Sequence, residues 1–199
     1  MKTRHIGRSL FLFVAAGLAI GILIAAPMID QEQVNVYPSL TWAVGGVSTQ
    51  KLAQVFTAGR DGRLSHVTLP ITCTSAAILT VSIQETTAGI PNGSVLAEEV
   101  LPGTIFPPID QQPAIGFRIV EFSKQPKLIR RMQYAIVLEA ATVDSCGVYQ
   151  SPEGDFYPAG SGYFDGLPSP PVPGWRPLGP RNDLPFQTFM DERVSGRVR

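Results

Sequence analysis

The chain has 199 residues, of which 44% are hydrophobic and 16% charged, so one domain with a substantial buried core is expected. It has 16 basic and 16 acidic residues. Three of the basic residues lie within the first eight positions and no acidic residue precedes position 30, which leaves a net charge of −3 from residue 30 onward. A surface with that balance does not neutralise a phosphate backbone, and nucleic-acid binding is not expected.

Residues 1–29 have the pattern of a signal peptide or a signal anchor. Lys2, Arg4 and Arg8 precede an uncharged apolar run at residues 10–26, which predicts a hydrophobic N-terminal helix and an exported remainder. The run has 17 residues, between the core of a signal peptide and the roughly 18 or more residues of a spanning helix. Cleavage and retention both stay open, and membrane contact is expected only through this segment if it is retained.

The exported part is predicted to be a series of short β-strands. In "LSHVTLPITC", Val67, Leu69 and Ile71 alternate with polar residues, and "ILTVSIQET" repeats this two-residue period of a half-buried strand. Further candidate strands are "LAQVF", "SVLAEEVL", "GFRIVEFS", "QYAIVLEAAT", "CGVYQS" and "LPFQTFM". Turn-forming residues separate them, as in "RDGR" and "TAGIPNGS". Strands at this spacing without intervening helices predict an all-β antiparallel sandwich or barrel.

The two cysteines, Cys73 and Cys146, each lie at the end of a predicted strand. Because disulfides persist in an oxidising compartment, a bridge between the two is favoured for an exported chain. Such a bridge would constrain the unfolded chain and stabilise the fold by roughly 2 to 4 kcal/mol. The alternative is a pair of buried free thiols.

Residues 152–182 form a segment rich in proline and glycine that also contains aromatic residues. Unstructured linkers are usually poor in aromatic residues, so we expect an ordered long loop across one end or face of the sandwich. Aromatic rings in and beside this loop could stack on a polysaccharide or a surface protein, and they are Tyr149, Phe156, Tyr157, Tyr163, Phe164 and Trp175. The alternative is that the loop packs its own rings against the sandwich. Trp175 is the ring expected to bind if the surface is exposed.

Patterns for catalysis and metal binding are weak. His66 is the only histidine after the N-terminal segment and falls on the polar face of its strand, so neither a zinc site nor a Ser-His-Asp triad is expected. Glycoside hydrolysis needs only two carboxylates and stays a minor alternative, with the candidates Glu85, Glu98, Glu99, Glu121 and Glu139. A structural calcium ion is a second minor hypothesis, with the loop ligands Asp144, Glu153, Asp155 and Asp165. No other cofactor is expected, and the basic cluster Lys127, Arg130 and Arg131 is interpreted as a solvated loop before a strand.

The order of segments from "QVFTAGRDGRLSHVTL" through "QYAIVLEA" to "DLPFQTFM" resembles the choice-of-anchor domains of bacterial exported proteins. The matching positions are Gln54, Phe56, Thr57, Gly59, Gly62, Leu64, Pro91, Gly93, Leu96, Tyr134, Ala135, Val137, Trp175, Asp183, Phe186 and Thr188. The resemblance implies a jelly-roll β-sandwich over residues 30–190, secreted or held at the cell surface. The charged residues 191–199 are expected to form a flexible tail. It lends no activity. The expected function is therefore a non-catalytic structural or interaction module, with carbohydrate binding through the loop around Trp175 as the alternative.

Overall fold

The computed structural model describes residues 26–111, 116–140, 144–166 and 174–191. The predicted N-terminal helix and the tail beyond Asp191 lie outside the described residues. Within the described ranges the regular elements are strands apart from one 3-10 turn at Gly103–Ile105, and no helix there could span a bilayer. The strands are β1 (Met28–Gln33), β2 (Tyr37–Gly45), β3 (Lys51–Thr57), β4 (Gly62–Leu69), β5 (Ile71–Cys73), β6 (Ile78–Thr87), β7 (Ile90–Pro102), β8 (Arg118–Glu121), β9 (Lys127–Leu128), β10 (Gln133–Ala140), β11 (Ser145–Gln150), β12 (Gly162–Asp165), β13 (Arg176–Pro177) and β14 (Phe186–Asp191).

These strands form three sheets that face one core. The first sheet has the order β1-β14-β4-β8, with β9 also paired to β4. The second has the order β13-β12-β3-β10-β6-β7, and the third has the order β2-β11-β5. One apolar cluster contains buried side chains of all three sheets, such as Phe186 from the first, Leu52 from the second and Val148 from the third. The strand pairs are antiparallel, so the predicted all-β antiparallel fold is confirmed, and its sheets pack as in a β-sandwich.

Pro70 divides the expected strand "LSHVTLPITC" into two strands of different sheets. β4 ends at Leu69 and pairs with β14 and β8, whereas β5 begins at Ile71 and pairs with β11. Proline has no N–H for the hydrogen-bond ladder, so the pairing changes at this residue. The alternating period continues across the break because Leu69 and Ile71 are both buried in the same core.

The hairpin between β6 and β7 turns earlier than the sequence indicates. Ala88 (φ 53°) and Gly89 (φ 77°) form a two-residue loop between the paired residues Thr87 and Ile90. The residues expected at the turn lie inside β7 instead, close to irregularities in its register with β6. Gly93 still adopts a positive φ of 85°, a backbone conformation that favours glycine, but it does so within the irregular part of β7 and not in the loop.

The predicted disulfide is confirmed. Cys73 and Cys146 are directly paired across β5 and β11, with their Cα atoms 4.0 Å apart, and both side chains are buried. The bridge joins positions separated by 73 residues and fixes two strands of the third sheet to each other inside the core. It replaces the alternative of two free thiols.

Glycines of the opening stretch are needed for a reason different from the expected one. Gly59 does not adopt a positive φ. A Cβ at this position would lie 2.5 Å from Gln31 Nε2 and 2.9 Å from Asp30 Oδ1, so any larger residue would displace the ends of these two β1 side chains. Gly62 meets Met190 in the same way, with a Cβ distance of 3.1 Å to its terminal methyl group. Both glycines allow the first and last strands to cover the opening stretch.

Candidate binding groove

The second sheet has an apolar patch on the face opposite to the main core. This outer apolar patch consists of Ala53, Val55, Ala135 and Val137, which have almost no exposed surface. Their chain neighbours Leu52 on β3 and Ile136 on β10 belong to the main core on the other face of the sheet. Half-buried Tyr163 and Trp175 pack against the outer apolar patch. The described loop residues after β11 therefore cover part of this outer face.

A groove of about 400 Å³ lies beside Trp175. We call it the Trp175 groove, and its lining residues are Lys51, Gln84, Pro91, Asn92, Gly93, Val95, Glu139, Asp165 and Trp175. They come from β3, β6, β7, β10, β12 and the residue that precedes β13. The irregular first half of β7 and the β12–β13 hairpin thus contribute to one surface feature of the second sheet.

Charged and polar side chains of the Trp175 groove surround one lysine. Lys51 Nζ lies 2.9 Å from Glu139 Oε2, and both side chains are partly exposed. Asp165 is the direct partner of Lys51 across β3 and β12. Its Oδ1 accepts the Gly174 N–H at 3.0 Å, which fixes the backbone immediately before Trp175. An exposed ion pair contributes only about 0 to 1 kcal/mol to stability, so this arrangement mainly presents donors and acceptors beside a flat ring.

The six rings predicted as a ligand surface do not form one surface. Tyr149 on β11 and Tyr157 in the long loop are both buried and therefore inaccessible to a ligand. Phe164 packs against the main core from the inner face of β12. Phe156 is 43% exposed but does not line the Trp175 groove. Of the six, Trp175 is the ring that lines the groove, with Tyr163 beside it over the outer apolar patch; both are partly covered.

Asp183 fixes the long loop to the sandwich. Its Oδ2 accepts the backbone N–H groups of Phe156 at 2.9 Å and Tyr157 at 3.0 Å. Gln54 donates to Asp183 Oδ1 at 3.4 Å and accepts the Leu184 N–H at 2.6 Å. Burial raises the pKa of Asp183 above its ordinary value of 3.8, although these hydrogen bonds act in the opposite direction. The described parts of the loop are therefore attached to β3.

The Tyr157 hydroxyl makes a second attachment of the loop. It donates to Gln31 Oε1 at 2.8 Å and accepts the Thr57 N–H at 3.2 Å. Burial raises the pKa of Tyr157 to about 12. The ring also packs edge-on against Phe186, with the ring centroids 5.1 Å apart. This tyrosine is a structural contact between the loop, β1 and β14.

The loop carboxylates considered for calcium are not gathered in one cluster. Glu153 Oε1 lies 3.6 Å from Arg181 Nη2, and Asp165 lines the Trp175 groove. Asp155 is exposed and Asp144 is half-buried before β11. Within the described ranges, no group of three or more His, Cys, Asp or Glu side chains is placed to hold a metal ion.

The glutamates considered for hydrolysis lie on different strands and have different partners. Glu139 pairs with Lys51 in the Trp175 groove, and Glu99 Oε1 accepts the Ser123 N–H at 2.6 Å. The remaining three lie opposite other residues of their sheets, with Glu85 across from Tyr134, Glu98 across from Ser82 and Glu121 across from His66. A hydrolase stays the minor alternative that the sequence indicated.

His66 is half-buried, whereas the sequence predicted a solvent-exposed side chain. Its ring stacks on Phe189 with centroids 4.1 Å apart and an angle of 16° between the planes. Nδ1 lies 2.8 Å from Ser65 Oγ. Burial lowers the pKa of His66, while the negative charges of Glu121 and Asp191 raise it. The stacking partner comes from β14, which no local pattern around His66 could indicate.

A larger cavity, of about 650 Å³, opens beside the disulfide at Cys73. Its walls are Thr74 and Ser75 on one side and residues between Gly103 and Gln111 on the other. Its aromatic lining residue is Phe106, which is buried in the main core, and its titratable lining residue is Asp110. The smaller Trp175 groove combines a ring, an ion pair and amides, so its chemistry makes it the stronger candidate site.

Several groove residues were missed from the sequence because they are distant along the chain. Lys51, Gln84 and Asn92 meet only through the pairing of β3, β10, β6 and β7. One signal in the sequence was the continuous apolar run in "QYAIVLEA", since such runs are typical of strands covered on both faces.

Models of known protein families do not match this sequence, and neither do curated proteins. The groove is therefore interpreted from its own contacts.

Proposed function

We propose that this chain is an exported, non-catalytic interaction module, secreted or held at the cell surface, on a β-sandwich of jelly-roll type similar to the choice-of-anchor domains. The observation that carries the proposal is the Trp175 groove, where a half-buried ring, the Lys51–Glu139 ion pair and an Asn–Gln amide pair share one concave surface. The disulfide supports export, because such bridges persist in oxidising compartments. The resemblance to surface domains supports a binding role over catalysis.

The chemistry of the groove favours a carbohydrate as the second, more specific candidate. A sugar ring has an apolar C–H face that stacks on an aromatic ring and hydroxyl groups that need donors and acceptors. Trp175 supplies the ring, while Lys51, Glu139 and Asp165 supply charged groups at its side. The volume of about 400 Å³ is in the range of small-ligand sites. A polysaccharide segment is therefore the ligand class that fits these residues.

Binding of the full chain to a panel of soluble glycans and insoluble polysaccharides tests the carbohydrate proposal. For any glycan that binds, Trp175→Ala is expected to weaken the affinity at least about 10-fold, because a central aromatic contact often contributes about 2 kcal/mol or more. Trp175 also packs on the outer apolar patch, so a loss of affinity in Trp175→Ala would follow from a disturbed fold as well. Asn92→Ala is a second test of the groove that keeps this packing, because Asn92 is exposed, lines the groove and belongs to a different strand.

Phe156→Ala is the matched aromatic control. Phe156 is exposed and belongs to the same loop, but it does not line the Trp175 groove, so its loss should leave the affinity unchanged. Equal losses for Phe156→Ala and Trp175→Ala would contradict a site in the groove. Binding that is insensitive to both Trp175→Ala and Asn92→Ala would contradict it as well.

Export is tested independently of the ligand. The full chain is expressed in a bacterial host, and the extracytoplasmic and cytoplasmic fractions are alkylated without reduction before their masses are measured. We expect the chain outside the cytoplasm, with Cys73 and Cys146 protected from alkylation because they form the disulfide. A chain found only in the cytoplasm, with both thiols alkylated, would contradict export and leave the groove experiment unaffected.

A further inference from the structure

The turn between β9 and β10 combines exposed apolar and basic side chains. We call residues 129–132 the basic turn: Ile129 is 52% exposed, Met132 is 54% exposed, and both Arg130 and Arg131 between them are exposed. The Met132 N–H donates to the Ile129 carbonyl at 3.1 Å, and Arg131 has a φ of 68°, so these residues form one tight turn. Apolar residues flanking paired arginines are typical of segments that meet a membrane surface.

The basic turn lies at the end of the sandwich where the described chain begins. Ala58 donates to the Met132 carbonyl at 3.0 Å and accepts the Arg131 N–H at 2.8 Å. The next residue, Gly59, donates to Asp30 Oδ2 of β1 at 2.9 Å. Hydrogen bonds of the adjacent residues Ala58 and Gly59 therefore connect the basic turn to Asp30 near the start of β1.

The short connection to the N-terminal segment limits how far this end can stand from a bilayer. The apolar run ends at residue 26 and β1 begins at Met28, so one residue separates them. An extended residue spans at most about 3.6 Å, and Asp30 lies four residues beyond the end of the run, so the two are at most about 14 Å apart. With the apolar run anchored in a bilayer, the β1 end of the sandwich lies at the headgroup layer.

Further positive charge surrounds the basic turn at a cost to the sheet. Exposed Arg63 and Lys127 are direct partners across β4 and β9, and like charges in that position destabilise an antiparallel pair. Two carboxylates at this end offset part of that positive charge: Asp61 Oδ1 accepts the Arg130 N–H at 2.9 Å, and Asp191 is the register partner of Arg63 across β14 and β4. A negatively charged surface would compensate for the Arg63–Lys127 repulsion.

A cleft beside the basic turn has the lining of an anion site. Its volume is about 420 Å³, and Arg131, Thr57, Thr86 and Gly89 are among its lining residues. The Thr57 and Thr86 hydroxyls donate to the carbonyls of Ala159 and Gln133, so the exposed Arg131 side chain is the group of this cleft that suits phosphate oxygens, which arginine binds through two hydrogen bonds. Met132 lines the same cleft, so an apolar side chain lies next to the anion-binding groups.

We propose that the basic turn docks on an anionic phospholipid surface, so that the sandwich lies on the membrane with its β1 end down. Ile129 and Met132 contact the boundary between headgroups and acyl chains, and the arginines bind lipid phosphates. The proposal rests on the alternative of the proposed function in which the chain is held at the cell surface, with the N-terminal segment kept as its anchor. It assigns membrane contact to the folded domain, where the sequence indicated only a solvated basic loop.

Fluorescence quenching of the full chain in lipid vesicles tests the docking. Ile129→Trp introduces a fluorophore in the basic turn, and Val47→Trp introduces one in the β2–β3 turn, where Val47 is 93% exposed. The β2–β3 turn precedes β3, whereas the basic turn is hydrogen-bonded just beyond its other end, so the two fluorophores lie at opposite ends of β3. Because the chain also contains Trp42 and Trp175, the quenching of each variant is measured relative to that of the unsubstituted chain. In vesicles of brominated phosphatidylglycerol we expect strong additional quenching at position 129 and little at position 47.

Removing the two arginine charges distinguishes quenching caused by docking of the basic turn from quenching caused only by the nearby anchor. Each basic side chain near an anionic surface contributes roughly a fivefold factor to association, so Arg130→Gln with Arg131→Gln should reduce the docked-to-undocked ratio about 30-fold. Arg118→Gln is the matched control, since Arg118 is exposed and lies opposite Leu69, at the far end of β4 from the basic turn. Brominated phosphatidylcholine should quench position 129 much less than the anionic lipid.

Three results would overturn the proposal in distinguishable ways. Equal quenching at positions 129 and 47 in anionic vesicles that retain the chain would show that the domain does not dock, and the anchored interaction module would stand. Release of the full chain from the vesicles would contradict the retained anchor itself, and the docking proposal would fail with it. Quenching at position 129 that survives the double arginine substitution would exclude the lipid phosphates as the binding partners.

Discussion

Reduction of the Cys73–Cys146 disulfide should destabilise the fold by a predictable amount. The bridge joins positions 73 residues apart, and it restricts the unfolded chain far more than the folded one. The loop-closure relation for a loop of this length gives about 4 kcal/mol at 25 °C. Both cysteines are buried between paired strands, so the reduced side chains keep their neighbours and the loss is mainly that of the cross-link.

Urea unfolding of the full chain with and without reductant measures this difference. The reduced chain should also show a steeper dependence on urea, because its unfolded state exposes more surface. A variant with both Cys73→Ala and Cys146→Ala is the control, since its unfolding should not respond to reductant. A difference below about 1 kcal/mol between oxidised and reduced chains would refute the loop-closure reasoning for this bridge.

Two further predictions concern the attachment of the long loop. Because burial raises the pKa of folded Asp183 above its ordinary value of 3.8, the folded state binds this proton more tightly, and stability contributed by the protonated form is lost as pH rises from about 4 through the folded pKa. Asp183→Asn can still accept both backbone N–H groups, so its melting temperature should fall less than that of the wild type between pH 4 and 7; parallel curves would contradict this. Gly160→Ala should destabilise the fold by about 1 to 3 kcal/mol, because a Cβ there would collide with the Val55 carbonyl of β3. Gly116→Ala, with ordinary contacts at 3.8 Å or more, should change stability by less than about 0.5 kcal/mol in the same denaturation assay, and equal losses for the two variants would refute the steric argument.

Properties that depend on neighbouring residues can be predicted from the sequence. Alternation in the segments around Val67 and Val81 predicts strands, because successive side chains of a strand face opposite sides. The same alternation distinguished Val67, Leu69 and Ile71 from their polar neighbours, and these three side chains have no exposed surface. The bridge between Cys73 and Cys146 followed from the number of cysteines and the expected compartment.

Strands with unusual local composition were harder to identify. β1 and β2 were not predicted, since several of their residues are exposed and their apolar period is weak. β12 lies in a segment rich in glycine and proline, and its four residues are held by pairing with β3 and β13. Pairing with a neighbour supplies the hydrogen bonds that make such segments strands, and the neighbour is remote along the chain.

The amino-acid sequence by itself determined which segments form most of the strands, which side chains enter the core and which cysteines pair, because alternation and residue type act over a few positions. Tertiary structure decided which strands are neighbours. That pairing separated β4 from β5 at Pro70, placed Trp175 in one groove with Lys51 and Gln84, and brought the basic turn to the β1 end. These features arise from contacts between residues tens of positions apart, whose energies depend on register and on packing of the whole sheet and are not contained in any short stretch.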